Sequence, residues 1–135
     1  MKSNKSLNKI SWCPYIRKQC GNILHIFDPS LSQNYFVIIG KPQREVIEIA
    51  HKQLGIKLGF DKECDGRFWV INHKFKGRIT PTAFIWSGNK VATIVHECFH
   101  AVWWSLNRKG ILITKDNDEA LAYHLEFLVK AILEK

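Results

Sequence analysis

Apolar residues recur along the chain with two different spacings, which predict strands in one part and helices in another. The run from Tyr35 to Ile39 is rich in residues that favour β-structure, and Gly40 ends it, so we expect a strand there. From Pro42 to about Leu58 the apolar positions repeat at helical spacing. We expect this helix to stop near Gly55 or Gly59.

Two further strands are predicted before the next helix. The segment from Arg67 to His73 alternates in polarity after the turn signal Asp65-Gly66, and Ile79 to Trp86 forms the second strand. Pro81 lies near the start of this second strand. Because proline has no N–H to donate to a neighbouring strand, Pro81 indicates an edge position.

The last part of the chain predicts two helices. The first runs from Lys90 to about Lys109 and ends at Gly110. The second follows Asp116 or Asn117, either of which can act as its N-cap. The order of elements indicates an α+β fold, in which a small, mostly antiparallel sheet packs with an N-terminal helix, a buried central helix and a C-terminal helix.

Composition narrows the class of protein. A chain of 135 residues with 46% apolar residues fits one globular domain over residues 1–135, of which we expect the first ten to be flexible. No stretch approaches the ~18 unbroken apolar residues of a spanning helix, and no apolar segment follows the basic N-terminus as in a signal peptide. We therefore expect a cytoplasmic protein without a membrane partner. The four cysteines form no CxxC pair, which predicts free thiols.

The chain is strongly basic, with a formal charge of +8 and a pI near 9.5. Such an excess favours anionic partners such as nucleic acid, acidic protein surfaces or anionic lipid. The basic residues are spread along the chain, however, and no four of them are consecutive. This distribution favours a generally solvated basic surface over a dedicated anion-binding face.

The helix from Lys90 contains the pattern HExxH at residues 96–100. His96 and His100 are four residues apart and therefore project from one face of the helix, where both can bind one zinc ion. Zinc lowers the pKa of a bound water towards about 7, so that Glu97 can remove its proton as a general base. Because this helix is apolar on most of its circumference, we expect it to be buried, with a metal offsetting the cost of burying these side chains. The alternative is a pair of hydrogen-bonded core histidines.

A catalytic zinc site needs a third protein ligand and an open fourth position. The continuation HExxHxxGxxH is absent, because Trp103 and Leu106 stand at its glycine and histidine positions. The best candidate for the third ligand is Glu119, at the start of the last helix. Asp118, His124 and a residue of the N-terminal half remain alternatives.

Several segments together resemble HExxH zinc metallopeptidases: Ile85-Trp86, residues 96–102, Asp118-Glu119-Ala120 and Ala122-Tyr123. The place of Glu119 resembles the gluzincins, the thermolysin-like group, in which a glutamate from a following helix completes the site. The wider resemblance is to small HExxH proteins encoded by bacteriophages, and it covers about the last fifty residues. It implies a minimal zincin-like fold, Zn²⁺ held by His96, His100 and Glu119, and, for a phage protein, the host bacterial cytoplasm. Tyr123 departs from the group, which often has an aspartate there to hold one histidine.

These observations predict a zinc-dependent hydrolase that cleaves a peptide or amide bond of a protein or peptide substrate by Glu97-assisted attack of zinc-bound water. Tyr123 is predicted to donate its phenol to the oxyanion, and the strand Ile79 to Trp86 to pair with an extended substrate. Trp103 shares the histidine face and could line a substrate pocket. Two alternatives remain: a non-catalytic, zinc-stabilised binding protein, for example a phage factor that sequesters a host protein, and a basic nucleic-acid-binding module.

Overall fold

The structure is a computed structural model that describes residues 16–59, 64–75 and 77–134. The ten N-terminal residues predicted to be flexible, and Cys13 with them, lie outside the described residues. The other three cysteines, Cys20, Cys64 and Cys98, are free thiols, as expected.

Within the described residues, five strands form one mixed sheet in the order β1-β2-β3-β5-β4. The strands are β1 (Arg17–Cys20), β2 (Ile23–Asp28), β3 (Gln33–Ile39), β4 (Gly66–Phe75) and β5 (Arg78–Ser87). Each neighbouring pair is antiparallel except β3 and β5, which run parallel with Tyr35 opposite Ala83. Together with the helices, this sheet confirms the predicted α+β class.

In the part of the chain that the structure describes, three helices pack against the sheet. They are α1 (Gln43–Ile49), which a π-helical turn continues over Ala50–Leu54, α2 (Val91–Arg108) and α3 (Asp118–Leu133). The helical segment formed by α1 and its π-helical continuation ends at Gly55, as predicted. Gly55 has a φ of 68°, a left-handed conformation that glycine adopts without a steric cost. Within the described ranges, no helix has both the length and the apolar character needed to cross a bilayer.

The sheet separates two apolar clusters, because successive side chains of a strand point to opposite faces. On one face, Leu24, Ile26, Val37 and Ile85 pack with Cys98, Val102 and Leu128 of α2 and α3. On the other face, Phe36, Ile38, Phe84 and Trp86 pack with Val46, Ile49 and Ala50 of α1 and its continuation. The helix that carries HExxH is therefore held against the sheet on the same side as α3.

The N-terminal hairpin was not predicted from the sequence. Its strands β1 and β2 are joined by the two-residue loop Gly21-Asn22, with Cys20 opposite Ile23. Gly21 has a φ of 63°, which two-residue hairpin turns require. The Gly-Asn pair before the β-favouring run that starts at Ile23 was the signal available in the sequence.

The expectation that the strand Ile79 to Trp86 lies at the edge of the sheet is wrong, and so is the expectation that this strand is the edge with which an extended substrate pairs. This segment belongs to β5, which lies between β3 and β4, and the edge strands of the described sheet are β1 and β4. The pairing of β5 with β3 begins only at Ala83, so Pro81 stands beyond that ladder and no N–H is needed there. The Pro81 carbonyl instead accepts a hydrogen bond from Gln33 Nε2 at 3.2 Å.

Helix α3 begins directly after Asn117, one of the two predicted cap positions. The Asn117 side chain makes no cap bond to the helix. Its Oδ1 accepts hydrogen bonds from the backbone N–H of Thr114 at 2.6 Å and from the Thr114 hydroxyl at 3.1 Å. Asn117 therefore stabilises the turn that leads into α3, upstream of Asp118 and Glu119.

Candidate metal centre

The two histidines of the motif converge on the solvent side of α2. Their Nε2 atoms lie 3.2 Å apart, and their ring centroids lie 4.7 Å apart with the ring planes at 83°. The helical spacing of His96 and His100 produces this approach, because residues four apart lie above one another on a helix. The two Nε2 atoms are within hydrogen-bonding distance of each other, so the histidines form a hydrogen-bonded pair on the exposed side of α2 and not in the core.

This separation fits two ligands of one zinc ion. Two nitrogens bound at 2.0–2.1 Å in tetrahedral geometry stand about 3.3 Å apart. Neutral imidazole nitrogens are also among the ligands that zinc prefers. His96 and His100 thus satisfy both the distance and the chemistry of half of a zinc site.

Helix α2 is buried along one side only. Its buried residues are Ile94, Glu97, Cys98, Ala101, Val102, Ser105 and Leu106. His96 and His100 are exposed, so the expectation that both histidines lie within a buried helix is wrong, and so is the energetic argument drawn from it. The helix appears apolar all round in sequence because Phe99 and Trp103 lie on its solvent side, where they are 38% and 40% exposed.

Glu97 is the buried member of the motif, with 8% of its surface exposed. Burial raises the pKa of the Glu97 carboxyl above its ordinary value, while the neighbouring charges of His96, His100 and Arg67 act in the opposite direction. A carboxyl group in this setting holds a proton more readily than an exposed glutamate. That is the property expected of a group that takes a proton and later returns it.

The start of β4 lies directly against Glu97. A β-carbon placed on Gly66 would stand 3.2 Å from Glu97 Cγ, and 2.9 Å from both Thr93 Cγ2 and the Trp86 carbonyl oxygen. Only a residue without a side chain allows α2 to approach the sheet this closely. Gly66 therefore sets the position of Glu97 beside the edge strand.

The structure does not bring the predicted third ligand to the histidine pair. Glu119 and Asp118 lie exposed in the first turn of α3. Within residues 16–59, 64–75 and 77–134, no three His, Cys, Asp or Glu side chains gather as a metal site. The assignment of Glu119 therefore stays a prediction.

His124, an alternative ligand, is a buried residue with a partner. Its Nδ1 lies 2.7 Å from Asp28 Oδ2, and both side chains are almost completely buried. Asp28 Oδ1 also accepts hydrogen bonds from the Ser30 backbone at 3.0 Å, the Ser30 hydroxyl at 2.8 Å and the Leu31 backbone at 3.4 Å. This pair connects α3 to the end of β2, which leaves only Nε2 of His124 for a metal. Sequence reasoning missed Asp28, since nothing local pairs it with a residue so distant in the chain.

Tyr123, predicted to bind an oxyanion, lies in a different groove. It is 62% exposed, and its ring stands edge-on to that of His124 at 5.1 Å. With Arg17 and Lys130 it lines a groove of about 320 Å³ between the N-terminal strand and α3. Neither His96 nor His100 lines that groove, so the catalytic role of Tyr123 also stays a prediction.

The sheet side of α2 fixes the helix in place. Cys98 is fully buried in the core, and burial raises the pKa of its thiol to about 12. Ser105 donates a hydrogen bond to the Ala101 carbonyl at 2.8 Å and accepts one from the Tyr35 hydroxyl at 3.0 Å. These contacts hold the orientation in which the two histidines of α2 face outward.

No family model, no curated protein and no solved structure matches this chain.

Proposed function

We propose that the protein is a zinc-dependent hydrolase that cleaves peptide or amide bonds. The observation that carries the proposal is the arrangement on α2: the Nε2 atoms of His96 and His100 lie 3.2 Å apart, with the buried Glu97 next to them in the helix. Zinc held by the two histidines would supply a Lewis acid that polarises a carbonyl and makes a water acidic. The third ligand proposed is Glu119, which does not gather with the histidines among the described residues and would therefore have to move towards them when zinc binds.

Glu97 is the proposed general base. Its carboxylate takes a proton from the attacking water, and the hydroxide oxygen bonds to the carbonyl carbon of the substrate. Glu97 then passes the proton to the nitrogen as the carbon–nitrogen bond breaks. The low exposure of Glu97 supports this role, because a carboxyl shielded from bulk solvent keeps the proton available for the leaving group.

The edge strand β4 is the proposed position for an extended substrate. One side of β4 pairs with β5, and the other side has no strand beside it among the described residues. The unpaired N–H and C=O groups of an edge strand can bind an extended peptide as an additional strand. Because a β-carbon on Gly66 of β4 would stand only 3.2 Å from Glu97 Cγ, a peptide bound along the start of β4 would lie near the general base.

The test combines metal content with peptide hydrolysis. Purified protein is expected to contain about one zinc per chain by elemental analysis, and to cleave members of a mixed peptide library detected by mass spectrometry. Glu97→Gln is expected to retain zinc and to lose at least about a hundredfold in rate, because only the proton transfer is removed. His96→Ala is expected to lose both zinc and activity.

The matched control is His51→Ala, because His51 is an exposed histidine on the opposite side of the sheet, in the continuation of α1. It should change neither zinc content nor cleavage. Stoichiometric zinc with no cleavage of any peptide would instead support a zinc-stabilised binding protein. Failure to bind zinc would overturn the proposal as a whole.

A further inference from the structure

The solvent face of α2 carries an uninterrupted row of rings beside the proposed metal ligands. His96 and His100 stand 4.7 Å apart between centroids, His100 and Phe99 6.0 Å, and Phe99 and Trp103 5.7 Å. Phe99 and Trp103 are each about two-fifths exposed. The row therefore presents two open aromatic surfaces next to the histidine pair.

This face has no lysine, arginine, aspartate or glutamate, which is unusual for the chain as a whole. Lysine, arginine, aspartate and glutamate make up 24% of the residues, whereas α2 has only the buried Glu97 and the terminal Arg108. An exposed helix face normally carries charged side chains that keep it solvated. A neutral aromatic face is suited to contact with an apolar group, because no ion has to lose its hydration.

Trp104, the next residue in the chain after Trp103, is packed into the protein and does not belong to this row of rings. Trp104 packs against Phe68 of β4 at 6.0 Å between ring centroids, and the guanidinium of Arg108 lies 5.7 Å from the centre of its ring. Packing against these neighbours thus explains the position of Trp104. Trp103 points to the other side of the helix, where its ring contact within the described chain is with Phe99.

We infer that Phe99 and Trp103 form an aromatic platform that binds an apolar or aromatic side chain of the substrate, close to the bond that is cleaved. The inference rests on the proposed function, and it deepens that function by naming the substrate class. The ring of Phe99 contacts the ring of His100, so the platform is continuous with the proposed metal ligands. A side chain placed there buries apolar surface and stacks on the two rings, and both effects favour binding.

The experiment measures binding in the catalytically inactive variant Glu97→Gln loaded with zinc, by isothermal titration calorimetry. The probes are phenylalanine hydroxamate and glycine hydroxamate, which share the metal-chelating group and differ in the aromatic side chain. Phenylalanine hydroxamate is expected to bind about tenfold more tightly. In Phe99→Ser/Trp103→Ser the preference should fall below about twofold, with the affinity for glycine hydroxamate unchanged.

The matched control is Leu112→Ser, which removes a side chain that is 70% exposed in the link between α2 and α3 and should keep the preference. To exclude a folding defect of the double variant as the cause, the single variant Trp103→Ser is measured as well, after its zinc content and circular dichroism have been shown to match those of the parent protein.

Equal affinity for both probes, or a preference that survives in the double variant, would overturn the platform while leaving the hydrolase intact. If neither probe binds zinc-loaded protein, the metal site and the platform are both overturned. A dimer that dissociates on Trp103→Ser would also overturn the platform, because a second copy of the chain would then cover this face.

Discussion

Gly66 leaves the space beside Glu97 open at the junction of β4 and α2, where a β-carbon on Gly66 would lie 3.2 Å from Glu97 Cγ. This close approach places the proposed general base next to the start of β4. It also places the first turns of α2 over the start of β4, where Thr93 and the Trp86 carbonyl leave no room for a methyl group.

Gly66→Ala should destabilise the protein by about 1–3 kcal/mol, because the added methyl group meets a backbone carbonyl that cannot move aside. The free energy of unfolding measured in urea checks this expectation. Gly59→Ala is the control, because a β-carbon at Gly59 would have no atom within 4 Å. Equal losses in the two variants would show that α2 does not approach β4 as described.

Glu119→Ala should weaken zinc binding by at least about tenfold if Glu119 is the third ligand, since the site would then hold the metal through two histidines. Competition against a zinc-sensitive dye measures the affinity. Glu126→Ala is the control, because Glu126 is an exposed glutamate further along the same helix. Undiminished affinity in Glu119→Ala would move the third ligand elsewhere, and Asp118→Ala would be measured next.

His124→Ala should cost about 3–5 kcal/mol of unfolding free energy, because it leaves the buried carboxylate of Asp28 without the partner at 2.7 Å. Urea denaturation provides the measurement, and the exposed His51→Ala provides the control. A loss below about 1 kcal/mol would mean that the pair does not bind α3 to the sheet. A loss of zinc without a loss of stability would return His124 to the list of ligands.

Alkylation of native protein by iodoacetamide at pH 8 should modify Cys20 and spare Cys98. The thiol of Cys98 is buried and has a pKa raised to about 12, so almost none of it is the reactive thiolate at this pH, whereas Cys20 is exposed. Mass spectrometry of the digested protein identifies the modified residues. Denaturation in urea should make Cys98 reactive. Rapid modification of Cys98 in the native state would contradict the packing of the motif helix.

The sequence predicted much of the framework, because its signals there are local. Gly40, Gly55 and Gly110 mark element ends in both the sequence and the structure, and the spacing of His96 and His100 alone predicts that the two rings approach. Helical periodicity and turn residues are properties of short segments, so they can be recognised without knowledge of the fold.

The wrong or missing predictions concern contacts between segments that are distant in the sequence. Pro81 suggested an edge strand, yet it lies in a central strand, just before the pairing with β3 begins at Ala83. Phe99 and Trp103 made α2 look buried on all sides, although they face solvent. The pairing of Asp28 with His124 joins residues 96 positions apart. None of these relations could be derived from spacing, because each depends on what a distant segment places beside the residue.

The one parallel strand pair has a consequence for the order in which the protein folds. Strands β1 and β2, like β4 and β5, join across short turns, and β5 leads directly into the helix that bears the motif. The β3–β5 ladder, with Tyr35 opposite Ala83, instead requires closure of a long loop that contains α1, which costs more chain entropy and is slower. We therefore expect the β4–β5–α2 unit, with both histidines in place, to form early, and its registration against β3 to limit the folding rate.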